Sequence, residues 1–323
     1  MISLKNLGFR SLGRKISEKE LLALLVVSVV FVASCVVLMR RDGDGGYVVV
    51  EGEDVERVVV ESPLPVLGDR TSFPELSAQG VLVVDANSGV RLYEKNPDLI
   101  LLPASTTKIM TALVALENYN LEDVFVVGRE AIVEGQKMGL VVGEEISVDA
   151  LVKGLLIFSA NDAAEVLANS YPEGRAGFVE RMNQKASELS MENTTFTNPT
   201  GFDDAGHVST AKDLVRLSQI AMEDGYFREV VGIEKLEVAS ADGGIRHRLV
   251  NINKLVGSVE GVKGVKTGWT EVARENLVSY VERDGRRVYI ALLGSQDRFG
   301  ETVKLIDWVF KQFRWEDVVY YSS

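Results

Sequence analysis

Apolar and polar positions alternate in three regimes along the chain. Leu21 to Met39 is a run of 19 residues without a charge, bounded by Glu20 and by Arg40-Arg41. At about 1.5 Å per residue such a run, if helical, just covers a hydrocarbon core of about 30 Å. Residues 40–75 are Gly-rich and acidic, with two Val-Val-Val-Glu copies (Val48–Glu51, Val58–Glu61) and Pro63, Pro65 and Pro74. This composition predicts a spacer with short strand character. From Gly80 the pattern is that of a globular domain. Val81–Asp85 and Val90–Tyr93 predict two strands joined by the turn Ala86-Asn87-Ser88-Gly89. Thr106–Tyr119 has helical spacing (Ile109, Leu113, Leu116), as do Val148–Phe158, Ala163–Ser170, Ala176–Leu189 and Thr210–Ala221. Strands are predicted at Leu236–Ala239, Asn276–Glu282 and Arg287–Leu293, the last two joined by Arg283-Asp284-Gly285-Arg286, before a final helix near Glu301–Phe313. Strands thus bracket a helical middle, and the sequential hairpins favour an antiparallel sheet.

Composition changes this picture mainly by exclusion. The 323 residues are 46% apolar and 25% charged, which fits a folded protein and rules out disorder of the whole chain. One apolar run of spanning length excludes a polytopic membrane protein. A single cysteine excludes an intramolecular disulfide and any cysteine-built metal cluster. The two histidines, His207 and His247, stand 40 residues apart without an HExxH string, so neither a metal nor another cofactor is expected.

The net charge of −12 is unevenly spread, with +5 on residues 1–41 and −17 on the remainder. An acidic main body argues against a nucleic-acid partner. Five Lys/Arg (Lys5, Arg10, Arg14, Lys15, Lys19) precede the apolar run and two follow it. That bias predicts a single-pass anchor in the cytoplasmic membrane, with a basic cytoplasmic tail (1–20) and the bulk of the chain outside. Two rival readings are a cleaved signal peptide and a lipoprotein modified at Cys35, in Val32-Ala33-Ser34-Cys35. Against both, the apolar run continues to Met39 and stops at two arginines. All three place the working domain outside the membrane.

Three short motifs follow in order: Ser105-Thr106-Thr107-Lys108 (S-x-x-K), Ser159-Ala160-Asn161 (S-x-N) and Lys266-Thr267-Gly268 (K-T-G). S-x-x-K alone is expected about once by chance in a chain of this length. A second copy indeed exists, Ser209-Thr210-Ala211-Lys212. The signal is the ordered set. A serine hydroxyl needs a base to become a nucleophile. On a helix, residues i and i+3 share a face, so Lys108 can reach Ser105. A helix start after Pro103-Ala104 would direct backbone N–H groups at the serine and help to stabilise an oxyanion. Lys108 can act as base only when neutral, and burial or a second cation, Lys266, would push it there. Gly268 would let an edge strand approach a ligand closely. Taken singly, each motif has a bland reading: Ser105 a helix cap, Ser159–Asn161 a polar break, Lys266–Gly268 a turn. Ser209 fits the cap reading, with Thr210 and Asp213 suggesting a capping-box start.

On these residues the chain resembles the serine-type D-alanyl-D-alanine carboxypeptidases, the low-molecular-mass penicillin-binding proteins. The resemblance extends through Pro103–Leu113, Phe158–Ala164, Asn198-Pro199-Thr200-Gly201-Phe202, His207–Leu214 and Gly264–Thr270, and covers roughly residues 76–313. It implies an α/β (α+β) fold of the β-lactamase and penicillin-binding transpeptidase kind, an antiparallel sheet flanked by helices plus a helical subdomain. It also implies an acyl-enzyme mechanism on peptidoglycan stem peptides, with β-lactam antibiotics acylating the same serine. Ser105 would be the nucleophile and Lys108 the acylation base. Ser159 and Asn161 would relay protons and hold the peptide. Lys266 and Thr267 would bind the substrate carboxylate, aided by Arg298. The backbone N–H groups of Ser105 and Trp269 would form the oxyanion hole.

The chain departs from the family in two places. Ala273-Arg274 stands where members usually have Ala-Gly, a departure that bears on the loop beside the site. Only 10 residues, Arg314–Ser323, follow the last predicted helix, so a further C-terminal β-domain and amphipathic anchor are not expected. The expected catalytic domain is 76–315, with a short tail at 316–323. Rival functions are a D,D-endopeptidase cutting crosslinks, a class A β-lactamase and a silent penicillin-fold scaffold. The lactamase needs an E-x-x-L-N loop, and Glu165-Val166-Leu167-Ala168-Asn169 is misordered for it. The scaffold would be expected to lose a catalytic residue, and none is lost.

Overall fold

The computed structural model describes residues 56–59, 63–68, 72–317 and 319–322. The run 21–39, Cys35 and most of the tether lie outside the described residues. Among the described residues no helix is long and apolar enough to cross a membrane. The chain divides into two units. In the smaller, Glu56–Val59 pairs antiparallel with Val319–Ser322. The larger runs from Ser62 to Val318 and carries every motif described above.

The larger unit is built on a five-stranded antiparallel sheet. Its strands are β1 (Gly80–Asp85), β2 (Arg91–Lys95), β3 (Val262–Thr270), β4 (Arg274–Arg283) and β5 (Arg286–Ser295), in the order β2-β1-β5-β4-β3. The β4–β5 hairpin turns on Asp284 and Gly285, both at positive φ (50° and 72°). This is the Asp-Gly chemistry that a two-residue turn between twisted strands requires. Side chains alternate across β1, with Val81 and Val83 in one apolar cluster and Leu82 and Val84 in the other. Both faces are covered, so β1 is buried at all six positions and its sequence is continuously apolar.

Seven α-helices complete the unit: α1 (Lys108–Asn118), α2 (Val148–Ile157), α3 (Asn161–Asn169), α4 (Gly174–Glu188), α5 (Ala211–Ala221), α6 (Gly225–Val231) and α7 (Arg298–Gln312). Helix α7 buries Leu305, Ile306 and Val309 in the cluster shared with Val81 and Val83. Helix α5 joins α1–α4 in the cluster on the opposite face. A 3-10 turn, Ala104–Thr107, leads into α1, so Ser105 lies one turn before the helix that carries Lys108.

The expected helices and strands appear with ends shifted by a few residues. Helix α6 and the strand Arg246–Val250, which pairs with Lys235–Ala239, are additions to the expected list. Two expectations need correction. The folded unit starts upstream of residue 76: Leu64–Leu67, inside the expected spacer, pairs with Phe313–Glu316, and Trp308 Nε1 donates to Ser72 O at 2.8 Å. Ser209 is not a helix cap. Thr210 caps α5, its Oγ1 accepting from Asp213 N at 3.0 Å, while Ser209 is fully buried and hydrogen-bonded to Thr194 Oγ1 at 2.9 Å.

Candidate active site

Four elements converge on one cleft of about 910 Å³. The 3-10 turn brings Ser105, the segment before α3 and its first residue bring Ser159 and Asn161, edge strand β3 brings Thr267, Gly268 and Trp269, and the start of α7 brings Arg298. Lys108 and Lys266 stand behind this surface, 0% and 1% exposed. The fold thus collects all nine residues expected from the sequence.

Backbone strain marks the place. Ala104 (φ 48°) and Ser159 (φ 59°) occupy the left-handed region that non-glycine residues avoid. Such conformations cost on the order of 1–3 kcal/mol and persist where surrounding structure imposes them. The approach of β3 to the nucleophile turn needs a glycine. A Cβ on Gly268 would stand 2.9 Å from Pro103 O and 3.1 Å from Ser105 N. Gly201 (φ 86°) packs equally tightly from the other side, where a Cβ would meet Ala104 O at 2.0 Å.

Lys108 Nζ lies 3.0 Å from Ser105 Oγ, 2.7 Å from Asn161 Oδ1 and 2.5 Å from Thr200 O. An ammonium would donate to all three. A neutral amine has two hydrogens and one lone pair. The two pure acceptors, Asn161 Oδ1 and the Thr200 carbonyl, take the hydrogens, and the lone pair is left facing the Ser105 hydroxyl. Burial pushes the Lys108 amine down to about 7, against the opposing pull of Glu165 and Asp162. Burial, one of the two expected causes, is therefore the leading one. Lys266 is itself held well below the ordinary lysine range, first by burial and then by Lys108 and Arg298.

Lys266 Nζ donates to Ser159 Oγ at 2.8 Å and to Thr267 O at 3.0 Å, and it does not line the cleft. It braces Ser159 from behind. Other donors belong to residues that line the cleft. Thr267 Oγ1 and Arg298 Nε are both buried and without a hydrogen-bond partner, and both residues line the cleft. Orphaned buried donors are rare in folded proteins, and a pair lining one cleft fits an anion. Arg298 is oriented by Glu275, whose Oε1 lies 3.5 Å from Nη1 and whose Oε2 accepts from Arg298 N at 2.9 Å.

Two further observations settle smaller points. Arg274 adopts φ 61°, which explains a glycine preference at this place, and its exposed side chain does not line the cleft. Glu165 is held by Arg175, with Nε at 2.7 Å and Nη2 at 3.1 Å, and is also outside the cleft lining. Among the described residues no group of three or more metal-ligating side chains occurs.

Sequence reasoning left Asn198, Thr200 and His207 without a role. His207 is buried and pushed down to about 4 by burial, so it is neutral. Its Nδ1 accepts from Thr197 N at 3.0 Å and its Nε2 pairs with Thr107 Oγ1 at 2.7 Å, beside Lys108. A contribution made by a backbone carbonyl, as at Thr200, carries no side-chain signature. The string Asn198-Pro199-Thr200-Gly201 was its only trace.

Comparison with known proteins agrees with this geometry. A family model described as D-alanyl-D-alanine carboxypeptidase matches residues 68–297. The D-alanyl-D-alanine carboxypeptidase DacF of Bacillus subtilis is 31% identical, over 76% of this chain and 65% of its own length, so this chain spans just under two thirds of that relative. A D-alanyl-D-alanine endopeptidase of Pseudomonas aeruginosa is 34% identical, over 73% of this chain and 78% of its own. The crystal structure of the Streptomyces K15 DD-transpeptidase superposes with a TM-score of 0.71 at 30% identity, covering 75% of this chain and all of that one. The α/β fold expected from the sequence is the fold of these penicillin-binding peptidases, and the chain belongs to the D-alanyl-D-alanine carboxypeptidase family, peptidase S11.

Proposed function

We propose that this protein is a serine D,D-carboxypeptidase that removes the terminal D-alanine from peptidoglycan stem peptides. The observation that carries the reading is the buried Lys108 amine, 3.0 Å from Ser105 Oγ and also held by Asn161 Oδ1 and the Thr200 carbonyl. Ser105 Oγ attacks the carbonyl carbon of the penultimate D-alanine and its proton passes to Lys108 Nζ. The oxyanion is held by the N–H groups of Ser105 and Trp269. The C–N bond then breaks, and the proton held on Lys108 passes through Ser159 to the amine of the departing D-alanine, which leaves Lys108 neutral to take a proton from the hydrolytic water. Water hydrolyses the ester and frees Ser105. Thr267 Oγ1 and Arg298 take the terminal carboxylate, with Lys266 behind them. A penicillin presents the same carboxylate and a strained amide, so it acylates Ser105.

Labelling with a fluorescent penicillin, followed by product analysis on a pentapeptide and on a crosslinked dimer, tests the reading. Covalent labelling with release of D-alanine is expected. Absence of labelling refutes it. Cleavage of the dimer in preference to the pentapeptide selects the endopeptidase instead, the activity for which one relative is named.

We further propose that residues 21–39 anchor the chain in the cytoplasmic membrane with the enzyme outside, where crosslinked peptidoglycan exists. The uncharged run and the excess of Lys/Arg before it support this. Protease added outside spheroplasts should remove the catalytic unit, and protection from it would reverse the topology.

A further inference from the structure

The Thr200 carbonyl is one of three oxygens within hydrogen-bond reach of the Lys108 amine, with Ser105 Oγ and Asn161 Oδ1, so whatever aims it also helps to aim the base. Its aim is set by one side chain. Asn198 Oδ1 accepts from Thr200 N (3.2 Å), Gly201 N (2.7 Å), Phe202 N (3.1 Å) and Thr200 Oγ1 (2.9 Å). Asn198 Nδ2 donates to Phe202 O at 3.0 Å, closing the loop from its far end. With its N–H groups gathered on one oxygen, the 200–202 segment curls around Asn198 and turns the Thr200 C=O the other way, toward Lys108. Gly201 then fits against the carbonyl of Ala104, the residue before the nucleophile. Asn198 touches neither Ser105 nor Lys108 by any hydrogen bond described.

From this geometry we infer that Asn198 is a positioning residue for the reaction: its carboxamide oxygen aims the Thr200 carbonyl, which fixes the lone pair of Lys108 on the Ser105 hydroxyl. The inference rests on the acyl-enzyme reading above. Without Asn198 Oδ1, the loop would turn its N–H groups to other acceptors and the carbonyl would lose its alignment. Lys108 would then lose a fixed acceptor. The carbonyl dipole stabilises the ammonium more than the neutral amine, so its loss lowers the pH at which Lys108 becomes neutral. The other ionisable groups around Lys108 are Asp162 and Glu165 on α3, Lys266 on β3 and His207; none contacts Asn198 Oδ1, and His207 Nδ1 lies 3.4 Å from Asn198 Nδ2.

The test measures the rate of penicillin acylation against pH for the full chain and two variants, with thermal unfolding alongside. Asn198→Ala should lower the plateau rate on the order of 10²-fold, the scale of a misplaced reacting group. Its acid limb should move to lower pH. Asn198→Asp keeps an oxygen to accept the same N–H groups. It should hold the plateau within about tenfold of wild type. Its added negative charge should move the acid limb to higher pH. A lowered plateau with an unmoved limb in Asn198→Ala, which general damage to the fold would produce, overturns the inference. So does an Asn198→Asp rate no better than that of Asn198→Ala. Failure of the wild-type protein to acylate at all refutes the enzymatic reading and is thereby distinguished from both.

Discussion

Ser105-Thr106-Thr107-Lys108 and Ser209-Thr210-Ala211-Lys212 have the same spacing, and each lies where a loop enters a helix. The fold treats them in opposite ways. Lys108 is fully buried, with its amine on Ser105, Asn161 and Thr200. Lys212 has a side chain 47% exposed and pairs with Asp98 at 2.9 Å. That hydrogen bond raises its ionisation above the ordinary lysine range, whereas burial pushes Lys108 down to about 7. The serines differ in the same sense. Ser105 lines the cleft, while Ser209 is sealed between Leu101, with which it exchanges backbone hydrogen bonds of 2.9 Å, and Thr194. The spacing offers a lysine to a serine. Desolvation and the placing of two acceptors make the lysine a base.

The largest test of that contrast is on the serines. Ser105→Ala should abolish covalent penicillin labelling, and Ser209→Ala should leave it intact, measured by fluorescence in denaturing gels. Labelling that survives Ser105→Ala would remove the basis of the comparison.

The lysines give the next largest effect. Lys108→Arg preserves charge but replaces the amine by a guanidinium that stays protonated. Acylation should slow by 10²- to roughly 10⁴-fold, the usual contribution of a positioned general base. Lys212→Arg should change the rate less than about twofold, as expected of a surface charge. Comparable losses in the two variants would show that the distinction drawn from burial is false.

The pH profile sharpens the point. The neutral amine is the active form, so the acylation rate should rise with pH and level off above about 7, where Lys108 has lost its proton. Below that pH the rate should fall about tenfold per unit. Lys212 remains protonated throughout this range, because Asp98 raises its ionisation further, so Lys212→Gln should leave the limb in place. A flat profile from pH 5 to 9 would contradict a lysine base.

Much of this was legible in the sequence, for physical reasons that also explain the gaps. Helix α5 buries one face, and apolar spacing records that, whereas α1 is buried on every side from Lys108 to Ala115. Helix α6 has seven residues and buries only Phe227, Val230 and Val231, too few to show a period. The strand Arg246–Val250 does alternate, but one of its inward residues is His247, on Glu144 at 2.7 Å, and a polar core residue hides the pattern. The same limit applies at the site. Side chains that react are named by their motifs, and Ser105, Lys108 and Asn161 could be found that way. The Thr200 carbonyl could not, since every residue has one. The placing of Lys266 behind the cleft was equally hidden, because only packing shows which residues line it.

The smallest effects lie in the second copy and measure what it does contribute. Thr210, not Ser209, caps α5, so Thr210→Ala should cost about 1 kcal/mol. In a unit of this size that is a fall in melting temperature of about 2–4 °C. Lys212→Gln breaks only an exposed ion pair and should cost less than about 1 kcal/mol. Ser209→Ala leaves the backbone pairing with Leu101 untouched and removes one buried hydroxyl, whose partner Thr194 Oγ1 keeps its bond to Asp213 at 2.8 Å. Its cost should therefore stay near that of one ordinary hydrogen bond, about 1 kcal/mol. All three variants should acylate at the wild-type rate when measured well below their melting temperatures. If Thr210→Ala slowed acylation at such a temperature, the second S-x-x-K copy would be coupled to the first through the Leu101–Ser209 pairing, and the contrast between a chemical and a structural copy would have to be redrawn as one unit.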